Sequence, residues 1–262
     1  MKKNITILCV LFSFIVLGVQ AQGPDVLRMT KYFKDGYVNL LEKTLLPADE
    51  EGLTDLRYGR IWGFIYKPSF TPEKSLYCTV SDQTKLVLCE PDSSIWYMSS
   101  RQLEKRVDHG SYIRYEPTGL KWEDVVLDMK IVRHELPISV EQADVIEKLF
   151  AVCINTATSF MWASEHYSIE TEADGRKTLK EFMGLDGEDF VFFQNGRSAE
   201  CWSPYGGKLK RLTNIAIALM KAVRESDPTQ LKALIPEAEA LTREYCELLP
   251  DWAKEYFELK YK

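Results

Sequence analysis

Glu188-Asp189-Phe190-Val191-Phe192-Phe193-Gln194 runs into Asn195-Gly196 and returns as Arg197-Ser198-Ala199-Glu200-Cys201-Trp202. Asn-Gly between two strand-forming runs specifies a type I′ turn, because both central residues of that turn need positive φ. The turn sets the register: Phe193 opposite Ser198, Phe192 opposite Ala199 and Phe190 opposite Cys201. Side chains alternate along a strand, so one face carries Phe190, Phe192, Ala199 and Cys201, a core surface. The other carries Val191 and Phe193 beside Ser198 and Glu200, which suits partial cover. Pro204 cannot continue a central strand, so the second arm ends by Ser203. Gly206-Gly207 lets the chain turn. Leu209, Leu212, Ile215, Ala216, Leu219 and Val223 then recur at helical spacing.

Outward from this hairpin, other elements follow the same logic. Downstream, Asp227-Pro228 opens a helix lined by Leu231, Leu234, Ile235, Ala238, Leu241, Tyr245 and Leu248. Pro250-Asp251 begins a last short helix with Trp252, Tyr256 and Phe257. Upstream, Ser139 and Gln142 form a capping box, and Ala143, Ile146, Phe150, Cys153, Ala157 and Phe160 make the stripe of the helix it starts. Pro24-Asp25 opens a helical pattern that ends near Pro47, with Val26, Phe33, Tyr37, Leu40 and Leu41 on one side.

Between these helices the chain reads as β. Strands are expected at 60–66, with Trp62, Phe64 and Tyr66 on one face, and at 76–80 and 85–89 around a turn on Gln83-Thr84. Further strands are expected at 94–98, 111–116 and 125–134, with a short helix between Ser100 and Val107. In the last strand Val125, Leu127, Met129 and Ile131 point inward and Asp128, Lys130 and His134 outward. Helices, then strands, then helices with one late hairpin predict an α+β fold. Its mainly antiparallel sheet is drawn from about residues 57–134 plus 189–203, packed against helices at about 25–46, 139–164, 207–225 and 228–249. One α+β domain over 22–262 is expected, with a point of subdivision near 135–139.

Residues 1–21 read as a signal peptide. Lys2-Lys3 is a positive start, 5–19 is an apolar run, and Val19-Gln20-Ala21 fits the small-residue cleavage rule, leaving Gln22 first. The expected product is periplasmic or secreted. No later segment is apolar and long enough to span a bilayer. Loss of Lys2 and Lys3 leaves 31 basic against 39 acidic residues, a balance that argues against a nucleic-acid partner. Cys9 leaves with the signal, and an oxidising compartment permits disulfides among Cys78, Cys89, Cys153, Cys201 and Cys246. The turn on Gln83-Thr84 sets Cys78 opposite Cys89, the first candidate bridge, against the alternative of two small buried thiols. Cys153–Cys201 is the second, because both lie on expected core faces.

The chain holds three histidines, His109, His134 and His166, and no H-E-x-x-H, G-x-S-x-G or phosphate-loop motif. No cofactor is expected. Glu165 and His166, and His134 separately, are the candidates for acid–base work, against surface residues near a helix end. Glu170, Glu172, Asp174 and Glu181, with Gly175, match positions 1, 3, 5, 12 and 6 of a calcium-loop template. Glu at the first two positions is longer than the usual Asp, and an acidic solvated loop explains them as well. Trp62, Phe64 and Tyr66, with Trp96, Tyr97, Tyr112 and Tyr115, could form an aromatic platform for a glycan, or fill the core between sheet and helices.

Asp186-Gly187-Glu188-Asp189-Phe190, the hairpin, Cys201-Trp202-Ser203-Pro204 and Gly207-Lys208-Leu209-x-x-Leu212-x-x-Ile215 together resemble the C-terminal part of small exported bacterial proteins of unassigned function. Those proteins pair an Asp-Gly turn and an aromatic strand with Trp-Ser-Pro and an amphipathic helix. The resemblance covers residues 139–223 when the helix from Ser139 is included; residues 1–130 show none. It implies a fold and no catalytic residue. Two readings follow: a non-catalytic binding or interaction module of the cell envelope with a protein or glycan ligand, or an extracytoplasmic hydrolase assembled around Glu165/His166 or His134.

Overall fold

The computed structural model describes residues 26–29, 36–47, 61–80, 83–110, 112–157, 167–171, 177–181, 187–202, 204 and 206–261. At its centre lies the expected hairpin, β10 (Glu188–Gln194) and β11 (Arg197–Trp202). Asn195 and Gly196 have φ of 48° and 77°, the positive values a type I′ turn requires. The register is the one the turn dictates, with Phe190 opposite Cys201, Phe192 opposite Ala199 and Phe193 opposite Ser198.

β10 is not an edge. It pairs on its other side with β2 (Trp62–Pro68), which leads to β3 (Lys74–Val80), β4 (Thr84–Pro91) and β7 (Ile131–Pro137). With the two-residue β1 (Arg28–Met29) beyond β11, the antiparallel sheet has the order β1-β11-β10-β2-β3-β4-β7. Two further pairs stand apart from it: β5 (Glu104–Asp108) with β6 (Ile113–Pro117), and β8 (Tyr167–Thr171) with β9 (Lys177–Glu181).

The helices cover both sheet faces. Six are described: α1 (Gly36–Leu45), α2 (Ile95–Leu103), α3 (Val140–Asn155), α4 (Gly207–Arg224), α5 (Pro228–Cys246) and α6 (Asp251–Lys260). α3 starts at a complete capping box: Ser139 Oγ accepts from Gln142 N, and Ser139 N donates to Gln142 Oε1. Asp227 caps α5 through its side chain alone, accepting from Thr229 N and Gln230 N. α3 and α4 lie on the sheet and α5 packs across both. Their apolar stripes meet the face formed by Trp62, Phe64, Leu76, Leu88, Phe190 and Phe192 in the larger core. Burying aromatic and aliphatic surface of this kind is the main term that stabilises such a layer.

The opposite face forms a second core. Leu40, Leu41 and Leu45 of α1 and Ile95 of α2 pack on Ile65, Tyr77, Val87, Val191 and Phe193. Val191 and Phe193 are therefore fully covered, at 6% and 1% exposure, where partial cover was expected.

Four expectations are corrected. The N-terminal helical block is divided: Arg28 and Met29 pair with Glu200 and Ala199 as a strand, and α1 is described from Gly36; Phe33 lies outside the described residues. Residues 94–98 are not a strand. Ser94 caps α2 by accepting from Tyr97 N, and the expected helix at 100–107 gives way at Glu104 to β5. Residues 125–130 form no ladder, although Val125, Leu127 and Met129 do pack on the second core. There the Gln102 side chain takes the part of a neighbouring strand, donating through Nε2 to Val126 O (2.7 Å) and accepting at Oε1 from Val126 N (3.1 Å). Finally, Trp252 and Tyr256 do not line α6; Ala253 and Phe257 are its buried residues.

Candidate functional site

The sheet rows facing α3 and α4 change character toward one end. Trp62, Cys78 and Leu86 form one row, and Phe192, Phe64, Leu76 and Leu88 the next. The following row substitutes Tyr66, Lys74 and Glu90 for apolar residues. Glu90 there collects cations. Arg224, at the end of α4, donates through Nε (2.8 Å) and Nη2 (2.6 Å), and Lys74 Nζ lies at 2.9 Å. His134 Nε2, on β7, lies 3.4 Å from Glu90 Oε2. The Arg224 hydrogen bonds outweigh burial and hold the Glu90 carboxyl down to about 2. On the neighbouring strand, across from Lys74, the Tyr66 hydroxyl donates to Glu188 Oε1 at 2.6 Å. Burial first, and the Glu188 carboxylate second, push that phenol well above its ordinary value.

This is the setting of one sequence candidate. His134 lies on the α4 face of β7, where an outward position was expected, because its parity matches buried Leu136; it is partly exposed there. Its carboxylate partner is fully engaged by Arg224 and Lys74, so Glu90 is a poor proton acceptor at neutral pH. A structural ion network accounts for these distances. Lys74, Glu90 and Arg224 were missed in the sequence; the available signal was a charged residue at the same strand parity as Leu76 and Leu88. Glu165 and His166 lie outside the described residues.

The other candidates separate in space. Trp62 and Phe64 are 2% and 0% exposed and pack edge-on against Phe150 of α3, at 5.8 and 6.1 Å. They belong to the core and offer no face to a ligand; Tyr66 is half-buried and tied to Glu188. The calcium template falls on a β-hairpin: Glu170 pairs with Thr178, Thr171 with Lys177, and Glu181 with Tyr167. Its first and last positions thus stand three rungs apart, at the 170/178 and 167/181 pairs; Glu172, Asp174 and Gly175 lie outside the described residues. Among the described residues no group of three or more His, Cys, Asp or Glu is arranged to hold a metal.

The expected disulfides are corrected too. Cys78, Cys89, Cys153, Cys201 and Cys246 are free thiols. The β3–β4 ladder closes at Val80 and Thr84, which sets Cys78 opposite Leu86 and Cys89 opposite Ser75. That is an odd-numbered slip from the expected register, and an odd slip turns a side chain to the other face of a sheet. Cys78 therefore lies in the larger core and Cys89 in the smaller. Cys153 and Cys201 share the larger core as buried thiols. Burial pushes the Cys78 thiol up to about 12 and raises the Cys153 thiol well above its ordinary value, which leaves neither as a nucleophile.

What the sequence left unplaced is a projecting unit made of α2 and the β5–β6 hairpin. Both strands are largely exposed. Tyr112, Ile113 and Tyr115 on the hairpin, and Trp96 and Tyr97 on α2, are 57%, 48%, 63%, 54% and 56% exposed. His109 stacks on Tyr112, with ring centroids 4.9 Å apart, and Asp108 accepts from Gly110 N at the turn. The root of the unit is firm. Thr118 N donates to Leu103 O at 2.8 Å. Glu73, 2% exposed, accepts from Ile95 N (2.7 Å) and Trp96 N (2.9 Å) at the start of α2 and from the Tyr37 hydroxyl (2.5 Å). A carboxylate suits that position, because the unpaired amides and dipole of a helix N-terminus favour negative charge. Trp96 continues into a cluster with Tyr37 and Trp122.

Concavities of about 480 and 280 Å³ lie on the helical layer, at Gly206–Arg211 with Glu244 and between α5 and α6; neither is lined by His134 or Glu90. Among the described residues no helix is long and apolar enough to cross a membrane. No protein-family model matches the chain, and no curated protein or solved structure shows a significant match to it.

Proposed function

We propose that this chain is an exported, non-catalytic binding module of the cell envelope, and that α2 with the β5–β6 hairpin is its binding element. The observation that carries this reading is the set of aromatic rings held in solvent on a firmly rooted hairpin: Tyr112 and Tyr115, with Trp96 and Tyr97 on the adjoining helix. Exposed aromatic rings on a rigid element supply contact area at low entropic cost, to a protein or to the apolar C–H face of a sugar. The likeness of residues 139–223 to exported bacterial proteins of unassigned function and the signal-like start support the export half of the proposal. The alternative, a hydrolase working through His134, is weakened because Glu90 is already neutralised by Arg224 and Lys74.

Two measurements test it. N-terminal sequencing of the secreted or periplasmic product is expected to begin at Gln22; an uncleaved cytoplasmic chain defeats the export half. Glycan-array binding by the wild type, lost in Tyr115→Ala with an unchanged melt, establishes a glycan ligand. With no glycan bound, photo-crosslinking from position 115 in intact cells is expected to give a discrete protein adduct. Absence of both defeats the binding half, as does hydrolase activity abolished by His134→Ala.

A further inference from the structure

β7 is the last strand of the sheet, and among the described residues nothing pairs with its outer edge. Which groups it presents there follows from one hydrogen bond. Ile138 N donates to Thr84 O at 3.1 Å, so that rung is a hydrogen-bonded pair of the β4–β7 ladder. Antiparallel rungs alternate, so residues 136, 134 and 132 turn their backbone groups to β4. Ile131, Arg133 and Glu135 turn N–H and C=O outward, and Pro137 turns out a carbonyl alone. Arg133, Glu135 and Pro137 are exposed, and Val132 is 51% exposed.

The sequence along this edge, Ile131-Val132-Arg133-His134-Glu135-Leu136-Pro137, is complementary to itself when reversed about His134. We propose that a second copy of this chain adds antiparallel to β7 with the two-fold axis at His134, making one sheet continuous across a dimer. In that register Arg133 of each copy stands opposite Glu135 of the other. Both are outward-facing, so each pair exchanges two backbone hydrogen bonds and sets guanidinium beside carboxylate on the same face. Ile131 stands opposite Pro137, where its N–H meets the carbonyl that proline retains; the Ile131 carbonyl finds no backbone donor there, so each end of the ribbon makes one bond of the two. Other in-line registers lose the double ion pair. Arg133 has no carboxylate partner among the described residues, while Glu135 is met at its own edge by Lys85 at 2.6 Å, which leaves its second oxygen available. Proline and charge also blunt sheet edges against pairing, and a monomer is what that role would give.

The test is the mass of the full secreted chain by sedimentation equilibrium. The expected result is a dimer, weakened about tenfold or more in Arg133→Glu and in Glu135→Arg, each of which places like charges opposite one another twice. The double swap Arg133→Glu/Glu135→Arg restores the wild-type mass, because the pairs are re-formed in reverse. Loss of the Lys85 contact alone cannot produce that rescue. A wild type that is monomeric at every concentration reached, or a dimer that Arg133→Glu leaves intact, overturns the proposal.

Discussion

Two hairpins of this chain have been put to opposite uses. β10–β11 carries Phe190, Phe192 and Phe193 into two cores, each at 1% exposure or less. β5–β6 carries Tyr112, Ile113 and Tyr115 into solvent. Both turn through a glycine at positive φ, Gly196 at 77° and Gly110 at 83°. The difference lies in what flanks them. β10 sits between β11 and β2, and both of its faces are covered by helices. Among the described residues β5–β6 has no third strand and no covering layer, so its stability must come from its own cross-strand pairs and its root. An isolated two-stranded ribbon is marginal in water, which is why the anchor at Leu103, Gln102 and Glu73 matters to it.

The contrast can be broken at several points. Phe192→Ala is expected to cost about 3–5 kcal/mol, the range for removing a fully buried aromatic, read as a lowered midpoint in chemical denaturation. A loss under about 1 kcal/mol would mean that the covered hairpin is no more embedded than the free one. Next comes the polar end of the same core, where Glu90→Gln is expected to cost about 2 kcal/mol by leaving Arg224 and Lys74 facing each other. The pH dependence has a definite sign. The Glu90 carboxyl is held down to about 2 in the folded chain, so its contribution is present above the ordinary carboxylate range and is lost as pH falls through that range toward about 2. Acid titration of stability should therefore be shallower in Glu90→Gln than in wild type.

Smaller effects discriminate the two turns. Gly196→Ala is expected to lower global stability by about 1 kcal/mol, the cost of a left-handed conformation for a residue with a Cβ. Gly110→Ala bears the same strain, but at a tip that can open locally. It should leave the global midpoint in place and speed amide exchange at His109, whose N–H donates to Tyr112 O. Least of all, Tyr115→Ala should change stability by under about 0.5 kcal/mol, as exposed substitutions do, while abolishing whatever binding the wild type shows.

The same contrast explains what could be read in advance. Asn195-Gly196, the Ser139–Gln142 box and the stripes of α3, α4 and α5 are local signals, and the α+β class follows from them. Ser94–Met98 misled because Ile95, Trp96 and Tyr97 are strand-forming residues; the helix there is secured by Glu73, the residue just before β3, which no local window contains. Cys78 and Cys89 misled because their register hung on the closing rung of one turn, and an error of odd number moves a residue to the other core. The Glu90 network was illegible for a related reason. Its members come from β3, β4, β7 and α4, and only sheet register brings Lys74 beside Glu90. His134 was singled out for its chemistry, with no view of the carboxylate that would meet it.

Glu73 has one more consequence. It ties the start of α2 to the central sheet through Ile95 N and Trp96 N, so the aim of the projecting hairpin is set only in the folded domain. A ligand that engages the arm in that orientation binds the native state and not the unfolded chain, and so raises the melting temperature of the whole domain. A thermal-shift screen can then find the ligand without any assumption about its chemistry. In Glu73→Gln, whose acceptor is weaker, the same ligand should give a smaller shift.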